Sequence, residues 1–116
     1  MRLLRFYCFP TWRTCRRAKA WLSAEKVKYE YRDILKEPLS GGELAELAAG
    51  AGIKVADLVN PKSAGFKKLG LEPESIDDTR AAELISEYPK IMRRPLLYDG
   101  ENVVVGFNED QYHKLI

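Results

Sequence analysis

The alternation of apolar and polar positions divides the chain into three stretches. Residues 2–8, RLLRFYC, are dominated by bulky apolar and aromatic side chains and predict a strand ending near Phe9-Pro10. From about Arg13 to Lys26, Ala18, Leu22 and the ring of Trp21 recur at helical spacing, with Cys15 one turn earlier. Thr11 and Thr14 are both candidate N-caps for that helix. In VKYEYRDI, residues 27–34, Val27, Tyr29 and Tyr31 alternate with Lys28, Glu30 and Arg32, the period of a half-buried strand. A right-handed crossover through the helix makes the two strands parallel.

The middle stretch changes pattern. Pro38 and Ser40-Gly41-Gly42 lead into a helix of about 43–49, with Gly50 and Gly52 as stops. Shorter helical pieces are predicted at 55–59 and 63–69, the second closed by Gly70. Asp77 or Asp78 caps a further helix of about 78–88 that ends before Pro89. The tail returns to strands: PLLYDGENVVVGF holds two apolar runs around an Asp99-Gly100 turn, and Asn108 then caps a short helix with Glu109 and Asp110 in its first turn. The order is β-α-β, helices, then β-β-α. This predicts an α/β, thioredoxin-like domain with a small mixed sheet, one domain over 1–116 with a helical insertion at about 37–90.

Composition narrows the function classes. The hydrophobic fraction of 46% and charged fraction of 31% are those of a globular chain. No apolar run approaches the roughly 20 residues of a membrane span, and MRLLRFYCF has too short an apolar run for a signal peptide. The expectation is a cytoplasmic protein with reduced thiols and no membrane partner. Residues 1–36 carry ten Lys/Arg against three Asp/Glu, and residues 37–116 carry nine against fourteen. That imbalance predicts either a local anion site or a solvated basic helix face, not direct nucleic-acid binding.

Candidate chemistry gathers in CFPTWRTCRRAKAWL, where a strand hands over to a helix. A helix N-terminus presents free N–H groups and about half a positive charge to whatever occupies such a turn. Arg13, Arg16 and Arg17 lie in the first helical turns and could reinforce it. Cys8 at the strand end and Cys15 in the early helix could both feel that field, which lowers a thiol pKa. Cys15 reads either as a buried packing residue or as a redox-active thiol, and a Cys8–Cys15 disulfide depends on geometry. In RRPLLYDG, a cis proline at Pro95 would shape a pocket, with Arg94 offering a bidentate fork to an oxyanion or serving in a surface turn. His113 has no nearby carboxylate pattern. There is no metal-ligand spacing and no glycine-rich phosphate loop.

Together these pieces resemble the arsenate reductase (ArsC)/Spx/YffB family of thioredoxin-fold proteins. FYCFPTWRTCRRAKAWL, VKYEYRDILKEPLS, GFKKLGL and RRPLLYDGENVVVGFNED carry the resemblance over nearly the whole chain. On the family pattern, the first-turn proline falls on Pro10, the nucleophilic cysteine on Trp12, a second thiol on Cys15 and an arginine on Arg16. The arginine before a proline falls on Arg94-Pro95. Two further arginines of arsenate reductases fall near Asn60 and on Phe107, so neither is kept.

The resemblance implies two alternatives. One is a thiol oxidoreductase of arsenate-reductase, glutaredoxin-like type, inactive by the usual route because Trp12 holds the nucleophile position. It would act on a small oxyanion or a disulfide through Cys15 and Cys8, with Arg13, Arg16 and Arg94 binding the anion and Trp12 and Pro95 shaping the pocket. No bound cofactor or metal is expected, and glutathione or thioredoxin would supply electrons. The other is an Spx-like, non-enzymatic regulator that binds the RNA polymerase alpha subunit. Of the CxxC switch used by such proteins only the second member, Cys15, remains.

Overall fold

The computed structural model describes residues 3–116. Arg2, expected in the first strand, lies outside them. Strand β1 (Leu4–Cys8) is followed by helix α1 (Arg13–Ala24) and strand β2 (Tyr29–Asp33). Helices α2 (Gly41–Ala51), α3 (Ala64–Leu69) and α4 (Asp78–Glu87) come next, with short 3-10 turns between them. The hairpin of β3 (Leu96–Tyr98) and β4 (Val103–Val105) and the terminal helix α5 (Glu109–Leu115) complete the chain. The strands lie in the order β2-β1-β3-β4. β1 pairs parallel to β2 and antiparallel to β3, and β3 pairs antiparallel to β4. The predicted thioredoxin-like α/β fold with a small mixed sheet is the fold observed.

Helices cover both faces of this sheet, which is why β1 reads as an almost unbroken apolar run. On one face Phe6, Cys8, Leu97 and Val104 pack with Cys15, Ala18 and Leu22 of α1 and Tyr112 and Leu115 of α5. On the other, Tyr7, Leu96 and Tyr98 pack with Leu44, Leu47, Leu84 and Ile85 of α2 and α4. Cys15, Ala18 and Leu22 sit at i, i+3 and i+7, one stripe of α1. Trp12 touches both cores, because it stands just beyond the C-terminal end of the central strand β1, where the two faces of the sheet meet.

Two local expectations are corrected. Gly50 does not stop α2 but lies inside it, where a Cβ would stand 2.8 Å from Val103 Cγ2 and 3.0 Å from the Glu101 carbonyl oxygen. The glycine is there because α2 crosses the β3–β4 hairpin at that point; Gly52, with φ of 71°, is the left-handed cap. At the other end Ser40 and Glu43 close a reciprocal capping box. His113, read as lacking a carboxylate, has its Nε2 3.5 Å from Glu25 Oε1 and its ring edge-on to Trp21. Folding, not sequence proximity, supplies that partner.

Candidate functional site

The turn between β1 and α1 is built on Trp12. It is the N-cap of α1, in extended conformation with φ of −91° and ψ of 132°, where Thr11 or Thr14 was expected. Its carbonyl accepts the first helical bond from the Arg16 N–H at 3.1 Å. An indole carries no acceptor, so no side chain caps the helix.

Across the turn, the peptide bond between Arg94 and Pro95 is cis, as the sequence suggested. Arg94 does not stand open as a fork. Its guanidinium carbon lies 4.4 Å from the Trp12 ring centroid and 4.5 Å from that of Phe9, and the two rings are 6.4 Å apart and tilted by 33°. The cation therefore sits in an aromatic corner, which favours it electrostatically. Its NH1 group donates to the carbonyls of Lys90 at 2.6 Å and Met92 at 3.1 Å. Its Nε is buried and meets no acceptor. Burial lowers the Arg94 pKa, and the nearby sulfurs of Cys8 and Cys15 oppose the shift. The residue read as an anion ligand is thus largely spent on fastening the proline loop to the Trp12 turn.

Both cysteines are free and wholly buried, at 0% exposure. They lie together in the α1-side core, close enough for each thiol to act on the other's ionisation. The neighbouring Cys15 thiol, followed by burial, holds the Cys8 thiol well above the ordinary range. The neighbouring Cys8 thiol in turn lowers the pKa of Cys15. The Tyr31 hydroxyl lies near Cys15 without a hydrogen bond of good geometry, and Lys19 Nζ sits 4.3 Å over the Tyr31 ring. The Tyr112 hydroxyl is likewise buried without a partner, and burial raises its pKa. A thiol so enclosed has no path to a substrate without local opening.

The open space lies on the other side of Trp12. A cleft of about 470 Å³ is lined by Trp12, Asn60, Ser63, Lys90, Arg93 and Arg94, with Gly65 and Val105 among its apolar walls. Arg13 and Arg16, expected to bind an anion, are exposed on α1 and are not among the residues that line it. Cys8 and Cys15 are not among them either. The structure brings together Trp12, Arg94 and the cis Pro95 bond, and leaves the thiols behind them. Lys90, Arg93 and the corner residue Phe9 were missed in the sequence. Phe9 stood next to Pro10 and carried no chemical signal, and Lys90 reaches the cleft only through the 3-10 turn at Pro89–Ile91.

A model of the ArsC family matches residues 7–115. The chain belongs to the ArsC family. It is 33% identical over 109 residues to the global transcriptional regulator Spx of Streptococcus pneumoniae, covering 94% of this chain and 82% of that one. An ArsC family related protein from Bacteroides fragilis superposes with a TM-score of 0.88 at 26% identity, covering 97% of each chain. An arsenate reductase from Vibrio cholerae, 21% identical, shares the fold with a TM-score of 0.88 over 99% of this chain and 98% of its own. No helix among the described residues is long and apolar enough to cross a membrane.

Proposed function

We propose that this ArsC-family chain is a non-enzymatic, Spx-like binding protein of the cytoplasm whose target is the RNA polymerase alpha subunit. One observation carries the reading. The indole of Trp12 and the guanidinium of Arg94 occupy the turn in which a family reductase would need a free thiolate and a free anion fork. An indole cannot attack arsenic or sulfur, and both thiols of the chain lie out of reach behind it. The likeness to Spx proteins over 94% of the chain supports the regulator alternative in particular.

The test has two arms. Arsenate reduction with glutathione or thioredoxin as electron donor should stay at the protein-free blank. The isolated C-terminal domain of the RNA polymerase alpha subunit should be captured by the immobilised chain. The competing reading, reduction through Cys15, draws on its lowered pKa. Turnover abolished by Cys15→Ser would establish that reading and overturn this one.

A further inference from the structure

The cleft beside Trp12 has a lopsided polar inventory. Its acceptors are spent: the Asn60 side-chain oxygen takes the Lys62 N–H, and the Ser63 hydroxyl takes the Phe66 N–H while donating to the Asn60 carbonyl. Its donors are not. The Asn60 amide nitrogen and the Lys90 ammonium make no bond among the described residues, and Arg93 commits only its Nε, to the Asp57 carbonyl. Arg94 lines the cleft as well, with its guanidinium held by the Lys90 and Met92 carbonyls and packed on the Trp12 and Phe9 rings. No carboxylate lines the cleft.

We propose that this cleft docks a short acidic peptide segment of a partner protein, one that places carboxylates on Lys90, Arg93 and Asn60 and an apolar side chain against Trp12. The proposal rests on the binding-protein reading above and adds the chemistry of what is bound. Size argues against a lone inorganic oxyanion, because about 470 Å³ falls within the range of roughly 300–1,000 Å³ that suits organic ligands. Half-buried Trp12 offers an apolar wall that an inorganic anion cannot use. Charge argues against a nucleic acid strand. Its backbone needs a basic track beyond the cleft, whereas residues 37–116, which supply every lining residue except Trp12, carry fourteen acidic against nine basic side chains. A segment with two or three carboxylates needs only the cleft.

The test is a titration of the isotope-labelled full chain with the acetylated, amidated tetrapeptide Glu-Phe-Glu-Asp, read by nuclear magnetic resonance. Saturable shifts are expected at the Trp12 indole N–H and at the amides of Asn60 and Gly65, with the Trp21 indole unmoved as an internal control. The double variant Lys90→Glu with Arg93→Glu should weaken binding by about a hundredfold, since each of the two lost charged hydrogen bonds is worth about tenfold. Should that variant fail to fold, Lys90→Gln with Arg93→Gln replaces it, with the same direction of effect. Shifts with inorganic phosphate but none with the peptide would make this an oxyanion site and overturn the proposal. Equal affinity for a thymidine hexanucleotide, or no shift with the peptide at all, would overturn it too. Capture of the RNA polymerase domain is measured on the same samples. Peptide binding without capture supports the cleft while removing the RNA polymerase reading, and capture without peptide binding does the reverse.

Discussion

If Arg94 is a structural tie to Trp12, the two side chains must be energetically coupled, and a double-mutant cycle measures that coupling. The perturbations are Trp12→Ala, Arg94→Ala and both together. Removing the half-buried indole forfeits its burial, about 2 kcal/mol. Removing the guanidinium forfeits two bonds to the Lys90 and Met92 carbonyls, offset by release of a buried, partnerless Nε. That nets about 2–3 kcal/mol, because a charged hydrogen bond is worth about 1.5–3 and an unmet buried donor costs about 1–3. The contact at 4.4 Å is lost in either single variant, so it is counted twice in their sum and once in the double variant. A partly desolvated cation–ring contact is worth about 1–2 kcal/mol. The double variant should therefore be less destabilised than the sum by about that amount. Urea unfolding followed by far-ultraviolet circular dichroism gives all four values, and in a domain of this size each kcal/mol moves Tm by about 4 °C. Additivity within about 0.3 kcal/mol would refute the tie and return Arg94 to the role of a free anion ligand.

Three further outcomes follow from the same geometry. Gly50→Ala sets a helix-propensity gain of about 1 kcal/mol against overpacking of about 1–3 kcal/mol. The Glu101 carbonyl at 3.0 Å is backbone and cannot yield, so the variant should show a lower urea midpoint, and a higher one would refute the close crossing of α2 and the hairpin. Glu43 is held below the usual carboxylate range, chiefly by its hydrogen bonds from Arg32, at 2.7 Å to NH1. A depressed folded pKa stabilises above the unfolded value and is lost as pH falls through the folded one. The stability gap between the native chain and Glu43→Gln should thus be full at neutral pH and close below about pH 4. Because the Glu43 side chain is 37% exposed, solvent screening limits that gap to about 1 kcal/mol or less; a gap independent of pH would refute the ion pair. Finally, neither Cys8 nor Cys15 should react with an aromatic disulfide reagent within minutes in the native chain at pH 7.5, whereas both should react in denaturant. A fast native thiol would mean that the core opens where the structure is closed.

Much of this molecule was legible in its residues. The periods of Ala18 and Leu22, of Tyr29 and Tyr31, and of the two apolar runs around Asp99-Gly100 each reflect which face of a local element must leave water. The cap at Asn108 and the one offered at Asp77 or Asp78 are equally short-range, and the structure has them at Asn108 and Asp77. The cap at Trp12 escaped because the turn after Pro10 is set by how β1 meets α1, not by an acceptor on the side chain.

What the sequence by itself determined is the order of elements, the parallel crossover and an indole, not a thiol, at position 12 of the first turn. Only the tertiary structure decided what the remaining groups do. It turned Arg94 from a fork into a tie packed in a corner of two rings, shut both thiols inside, left the arginines of α1 outside the cleft, and opened a donor-lined cleft around Lys90 and Arg93. The physical reason is range: an element forms from contacts a few residues apart, whereas the state of a guanidinium or a thiol depends on which distant groups the packed core carries to within about 4–5 Å of it.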